Sequence, residues 1–211
     1  MKNTDRKNAS RSLTSIVILL LAVTQTLAGE GKTKKEEGEI PDWKARWELA
    51  RTLSYAKKLD ESIAQYEKLL EERPEIGEAK AEMATVMFWK GKQEEALKIL
   101  EEVPEKELTS EAQLARADIY ASKGKYAMAE KLYREHLKDH PKADQVKLRL
   151  AETLSWAKKY AESVKEYEAI LLNRPKDIQV RRKYALVLSW MGRHDRAAAE
   201  LEKTLAEEHS K

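Results

Sequence analysis

Apolar residues recur at helical spacing in short blocks along this chain, and the blocks repeat. Leu49, Ala50 and Leu53 share one face of a predicted helix, while Ile63, Tyr66 and Leu70 share one face of the next. A break at Lys57-Lys58 separates the two, and glycine stands at the corresponding place in three later blocks, at Gly91, Gly124 and Gly192. Pro41, Pro74, Pro104, Pro141 and Pro175 fall between blocks, where a residue without an amide donor ends a helix instead of interrupting one. No stretch alternates with the period of two that a half-buried strand shows. The pattern predicts an all-α chain of helix pairs.

The blocks are copies of one unit. Between the segments Leu49–Pro74 and Leu150–Pro175, 15 of 26 aligned positions are identical, at an offset of 101 residues. That offset is three times a period of about 34, the length of a helix–turn–helix solenoid repeat. Copies begin near Trp43, Gly77, Ser110, Asp144 and Ile178. A unit of this size cannot bury its apolar face alone, so its copies must stack, and stacked copies present binding surfaces. Asp42, Ser110 and Asp144 are expected N-caps, with Ser110 and Gln113 as a capping box.

Three columns run through the copies. A small residue recurs in the first helix as Ala50, Ala84, Ala117, Ala151 and Ala185, and early in the second as Ser62, Ala96, Ala129, Ser163 and Ala197. Four places later stands a large residue: Tyr66, Leu100, Tyr133, Tyr167 and Leu201. Small side chains let helices approach closely, and the large one fills the gap between them. With these columns, the period and the prolines, the chain resembles the tetratricopeptide repeat family over residues 42–208. The resemblance implies five antiparallel helix pairs wound as a right-handed superhelical solenoid over residues 41–211. Two departures stand out. The second copy is shortened after Val103, with Glu105–Leu108 making up the length, which predicts an altered packing angle near Pro104. The family's aromatic residue early in the first helix is replaced by Arg46, Lys80, Gln113, Lys147 and Arg181.

Residues 1–28 have the form of a cleavable signal peptide. Lys2, Arg6, Lys7 and Arg11 precede a short apolar run over Leu13–Val23, and Thr26-Leu27-Ala28 supplies the small residues a signal peptidase reads. That run is too short for the roughly 20 apolar residues of a membrane span. No cysteine follows it, which excludes a lipoprotein anchor and any disulfide. Residues 29–40 read as a charged, glycine-containing disordered linker. The net charge of +3 resides wholly in the leader, so the mature chain is formally neutral and gives no compositional support for nucleic-acid binding. The expected location is the periplasm or the exterior.

In the family, one stripe of each first helix lines a concave groove. That stripe here carries Trp47, Arg51 and Tyr55, then Phe88 and Trp89, Asp118, Glu152 and Trp156, and finally Arg182 and Trp190. Tyr55, Trp89, Trp156 and Trp190 form one column near the end of the first helix, interrupted at Ser122. Two readings of the column are open: rings that pack between repeats, or a ladder for a ligand, since Trp and Tyr dominate binding hot spots. The charges on the stripe are mixed, which implies no strongly charged ligand. His136 and His140 have metal-sharing spacing but no third ligand, and no nucleophile or phosphate-loop motif is present. No cofactor and no catalysis are expected. The expected function is a scaffold or adaptor for protein–protein interaction in a cell-envelope assembly. Copies with an L-S-W turn also resemble repeats of exopolysaccharide export proteins, which makes polysaccharide binding the alternative. Ala197, Ala198, Leu201 and Leu205 on the last helix are a candidate self-association edge.

Overall fold

The computed structural model describes residues 40–208, with side chains to Leu205. The leader and all of the linker but Ile40 lie outside the described residues. Among the latter there are ten α-helices and no strand. They run as five pairs: α1 (Asp42–Tyr55) with α2 (Leu59–Glu72), α3 (Gly77–Trp89) with α4 (Gln93–Glu102), α5 (Ser110–Ser122) with α6 (Tyr126–Asp139), α7 (Asp144–Trp156) with α8 (Tyr160–Asn173), and α9 (Ile178–Trp190) with α10 (His194–Glu208). Each helix packs on its pair partner, and the second helix of a pair packs on the first helix of the next. This is the all-α repeat solenoid that the spacing predicts.

The turn inside each pair is the same Schellman closure five times. In the first, the Lys57 amide donates to the Ser54 carbonyl (3.0 Å) and the Lys58 amide to that of Leu53 (3.0 Å). The residue that reverses the chain has positive φ: Gly91, Gly124 and Gly192 in three copies, but Lys57 (61°) and Lys158 (60°) in the other two. A side chain at such a φ costs about 1–2 kcal/mol, part of which glycine gives back through the entropy of the unfolded chain. Lys158→Gly is therefore expected to stabilise the fold by about 0.5–1 kcal/mol. Denaturant titration checks this, and a lower midpoint would contradict it.

Helix starts differ from the sequence expectation by one residue. Thr109, not Ser110, caps α5 by accepting from the Ala112 amide (3.1 Å), and Ser110 Oγ instead meets His136 Nδ1 (3.1 Å). Asp177 caps α9 through Val180 (3.0 Å). Asp42 and Asp144 are the first helical residues, where their charge favours the helix N-terminus without capping it. Composition alone does not separate a cap from its neighbour.

The columns predicted to set the stacking are buried. Ala50, Ala84, Ala117, Ala151 and Ala185 are fully inaccessible, as are Ser62, Ala96, Ala129 and Ser163. The two serines fit an alanine position because each hydroxyl donates across the helix crossing, Ser62 to the Ala50 carbonyl and Ser163 to that of Ala151, both at 2.7 Å. Tyr66, Leu100, Tyr133 and Tyr167 are fully buried, whereas Leu201 on α10 is exposed. Leu49 is also exposed, although helical spacing puts it on the core face of α1. Its equivalents Leu150 and Tyr184 are buried in later repeats, where a preceding second helix packs on the first. The shortened second repeat is visible as well. The helix α4 has 10 residues where α2, α6 and α8 have 14. A 3₁₀ turn at Glu105–Glu107 follows Pro104, and Arg116 of α5 holds that turn by a two-point contact with Glu105 (2.8 Å). Across this junction α5 packs on α3 as well as α4.

Candidate functional site

The last residue of each first helix is fixed by the Schellman closure that follows it. Tyr55, Trp89, Trp156 and Trp190 project there with 77, 44, 51 and 54% of their surface exposed. The indoles are half covered because the preceding repeat braces them. Trp156 lies against Tyr126 (centroids 6.3 Å, 39°) and Trp190 against Tyr160 (6.1 Å, 44°). Trp89 has Lys57 over its ring at 5.5 Å. Where the column is interrupted the same register holds a hydrogen bond, Ser122 Oγ to Gln93 Oε1 at 3.1 Å. Trp89, Trp156 and Trp190 are thus each partly covered by the preceding repeat and partly open.

Deeper on this face, ion pairs link consecutive first helices. The Arg51 guanidinium spans Glu82 at 2.7–3.0 Å, lies 4.5 Å over the Trp47 ring, and also reaches Glu48 and Glu78. The Trp47 indole N–H donates to Glu82 (2.5 Å), and so does the Tyr66 hydroxyl (3.0 Å). Two repeats on, Tyr133 donates to Asp118 (2.5 Å), and Arg149 pairs with that carboxylate at 2.8 Å. Between the last two repeats Lys183 pairs with Glu152. Those positions correspond to Glu82 and Arg51 at the 101-residue offset, so the pair is inverted in sign. Where the two positions are Thr85 and Ala115 no pair forms, and the large core residue is Leu100, which has no hydroxyl to satisfy. Burial pushes the Tyr66, Tyr133 and Tyr167 phenols far above their ordinary range, with neighbouring carboxylates adding to the shift. Burial also raises the Asp118 carboxyl, against the lowering effects of Tyr133 and Arg149.

The inversion gives a direct test. Lys183→Glu places two carboxylates together and is expected to cost about 0.5–1 kcal/mol, whereas Glu152→Arg with Lys183→Glu rebuilds the arrangement of Arg51 and Glu82. A double-mutant cycle in denaturant should show favourable coupling. Additive effects would contradict it.

Two pockets open on this face at equivalent places. The first lies between repeats one and two, with a volume of about 110 Å³, and includes Arg51, Tyr55, Tyr66, Glu82, Thr85 and Trp89. The second lies between repeats four and five, with about 210 Å³, and includes Glu152, Trp156, Tyr167, Lys183, Leu186 and Trp190. Of the stripe residues read from sequence, Arg51, Tyr55 and Trp89 thus meet in one pocket and Glu152, Trp156 and Trp190 in the other. Trp47 and Arg51 are engaged with Glu82, and Asp118 with Tyr133 and Arg149. Phe88 packs against the core, and Arg182 turns toward Thr204 of α10 (3.4 Å). Glu82, Arg149 and Lys183 were missed, because they sit one turn from the stripe. The charge exchange between Arg51/Glu82 and Glu152/Lys183 was the signal for them.

His136 and His140 stack on each other (4.5 Å, 18°), and burial lowers the His136 pKa with help from the second ring. Among the described residues no group of three potential ligands surrounds a metal position, and no helix is long and apolar enough to cross a membrane.

A tetratricopeptide repeat family model matches residues 42–119 and 120–187. No curated protein matches the chain. Solved structures with the same fold include MamA 41-end from Desulfovibrio magneticus RS-1, with a TM-score of 0.72 at 12% identity over 82% of this chain and 99% of that one. MamA MSR-1 C2 gives 0.70 at 18% identity over 80% and 98%, and MamA AMB-1 C2221 gives 0.69 at 17% over 78% and 97%. At these identities the likeness is one of fold. The chain belongs to the tetratricopeptide repeat family, whose stacked helix pairs form a scaffold for protein–protein interaction.

Proposed function

We propose that the chain is an exported adaptor that holds an extended segment of a partner protein along its first-helix face within a cell-envelope assembly. The carrying observation is the row of half-open aromatic rings at Tyr55, Trp89, Trp156 and Trp190, two pairs of which wall pockets at the ends of the stack. Rigid rings that are partly open offer large contact area at small entropic cost. The envelope setting rests on the leader-like sequence of residues 1–28, and amino-terminal sequencing of the mature protein should begin at Gly29. A photo-crosslinking side chain at Leu186, on the pocket wall, is expected to trap one defined protein in exporting cells, and the same group at exposed Lys131 is not. Equal adducts from both sites, or none from Leu186, would contradict the reading. Flat indole faces also suit sugar rings, so a glycan is the second reading. Saturable quenching of tryptophan fluorescence by a soluble exopolysaccharide would favour it. Self-association through Leu201 and Leu205, both exposed on α10, belongs to the same proposal, and sedimentation of Leu205→Glu against the parent chain tests it.

A further inference from the structure

The two pockets share a frame but differ at the floor. In the first, the Tyr66 hydroxyl is consumed by Glu82, and the wall is Thr85. In the second, lysine stands where Glu82 would be and offers no acceptor, so the Tyr167 hydroxyl has no hydrogen-bond partner among the described residues, although the residue is 99% buried. Tyr167 lines the pocket, so its unpaired hydroxyl is open to a group that enters there. The wall is Leu186, and both indoles are braced from behind by Tyr126 and Tyr160. The charges lining the pocket, Lys183 and Glu152, neutralise each other. Its volume of about 210 Å³ exceeds the roughly 150 Å³ in which an apolar cavity holds a benzene ring.

We propose that this pocket receives one uncharged ring side chain with a polar tip, of the tyrosine type, presented by the extended partner segment. The proposal rests on the groove reading above and names what the groove selects. The ring lies between Trp156 and Trp190 against Leu186, and its tip exchanges a hydrogen bond with the Tyr167 hydroxyl. A sugar ring fits less well. Ser155 Oγ already donates to the Glu152 carbonyl (2.7 Å), and Lys183 is spent on Glu152. The hydroxyls around a sugar would go largely unmet, whereas a phenol brings only one.

The test uses the mature chain with ¹⁵N-labelled indoles and three probes: N-acetyl-tyrosinamide, N-acetyl-phenylalaninamide and a linear glucan oligosaccharide. The tyrosine probe is expected to move the Trp156 and Trp190 indole signals and leave that of Trp47 in place. It should bind about three- to tenfold tighter than the phenylalanine probe, the worth of one hydrogen bond. Tyr167→Phe should abolish that preference while melting stays unchanged. Absence of movement at Trp156 and Trp190, a preference that survives Tyr167→Phe, or movement caused by the glucan alone would overturn the proposal. If it falls while crosslinks from Leu186 persist, the groove reading stands without it.

Discussion

Tyr133→Ala is expected to cost about 3–5 kcal/mol and to lower the melting temperature by about 10 °C. The ring is 1% exposed at the centre of the stack, where it fills the gap that the alanine columns of α5 and α6 leave open. Truncation empties that gap, and a helix pair clamped by neighbours on both sides cannot collapse to refill it. It also strands Asp118, a partly buried carboxylate whose remaining partner is then Arg149. Tyr133→Phe keeps the ring and removes the 2.5 Å hydrogen bond alone, so its cost should be nearer 1 kcal/mol. Denaturant unfolding of the two variants separates packing from polar contribution. Equal costs would mean that the hydroxyl, not the ring, carries this position.

Ala117→Leu is the second large effect, expected at about 1–3 kcal/mol of destabilisation. Ala117 is fully buried where α5 crosses α6. The closeness of that crossing is seen in the first and fourth repeats, where a serine hydroxyl reaches the opposing helix carbonyl at 2.7 Å. Three further carbons have no space there unless the helices part, and parting them disturbs both neighbouring interfaces. Ala198→Leu on exposed α10 is the control and should change stability by less than about 0.5 kcal/mol. A similar cost at both sites would contradict the role given to the alanine column.

Those columns are also what made the fold readable. Ala50 and its four counterparts and the glycine turns repeat with one period, the prolines follow it with a slip at Pro104, and each is dictated locally, by helix approach, by positive φ or by a missing amide. The site was less readable, because a helical wheel assigns faces within one helix and says nothing of what the next repeat brings to that face. Trp156 reads as an exposed end residue or as core until Tyr126 is seen behind it. Ser122 reads as a gap until Gln93 is seen to answer it. The partnership of Arg51 with Glu82 is likewise set by the register of stacking, as is the loss of any acceptor for Tyr167. Leu49 shows the same limit in reverse, being core by spacing yet exposed, since among the described residues no second helix precedes α1 to cover it.

The claim that the aromatic row serves binding more than packing is tested most directly by Trp156→Ala with Trp190→Ala. Both rings are about half exposed, so the double variant should lose only about 2 kcal/mol and remain folded with the parent's circular dichroism at 25 °C. With the photo-crosslinking group at Leu186, the account predicts that the partner adduct disappears from this folded variant. An adduct that persists at parental yield while melting temperature falls would show that the rings only pack, and would contradict the account.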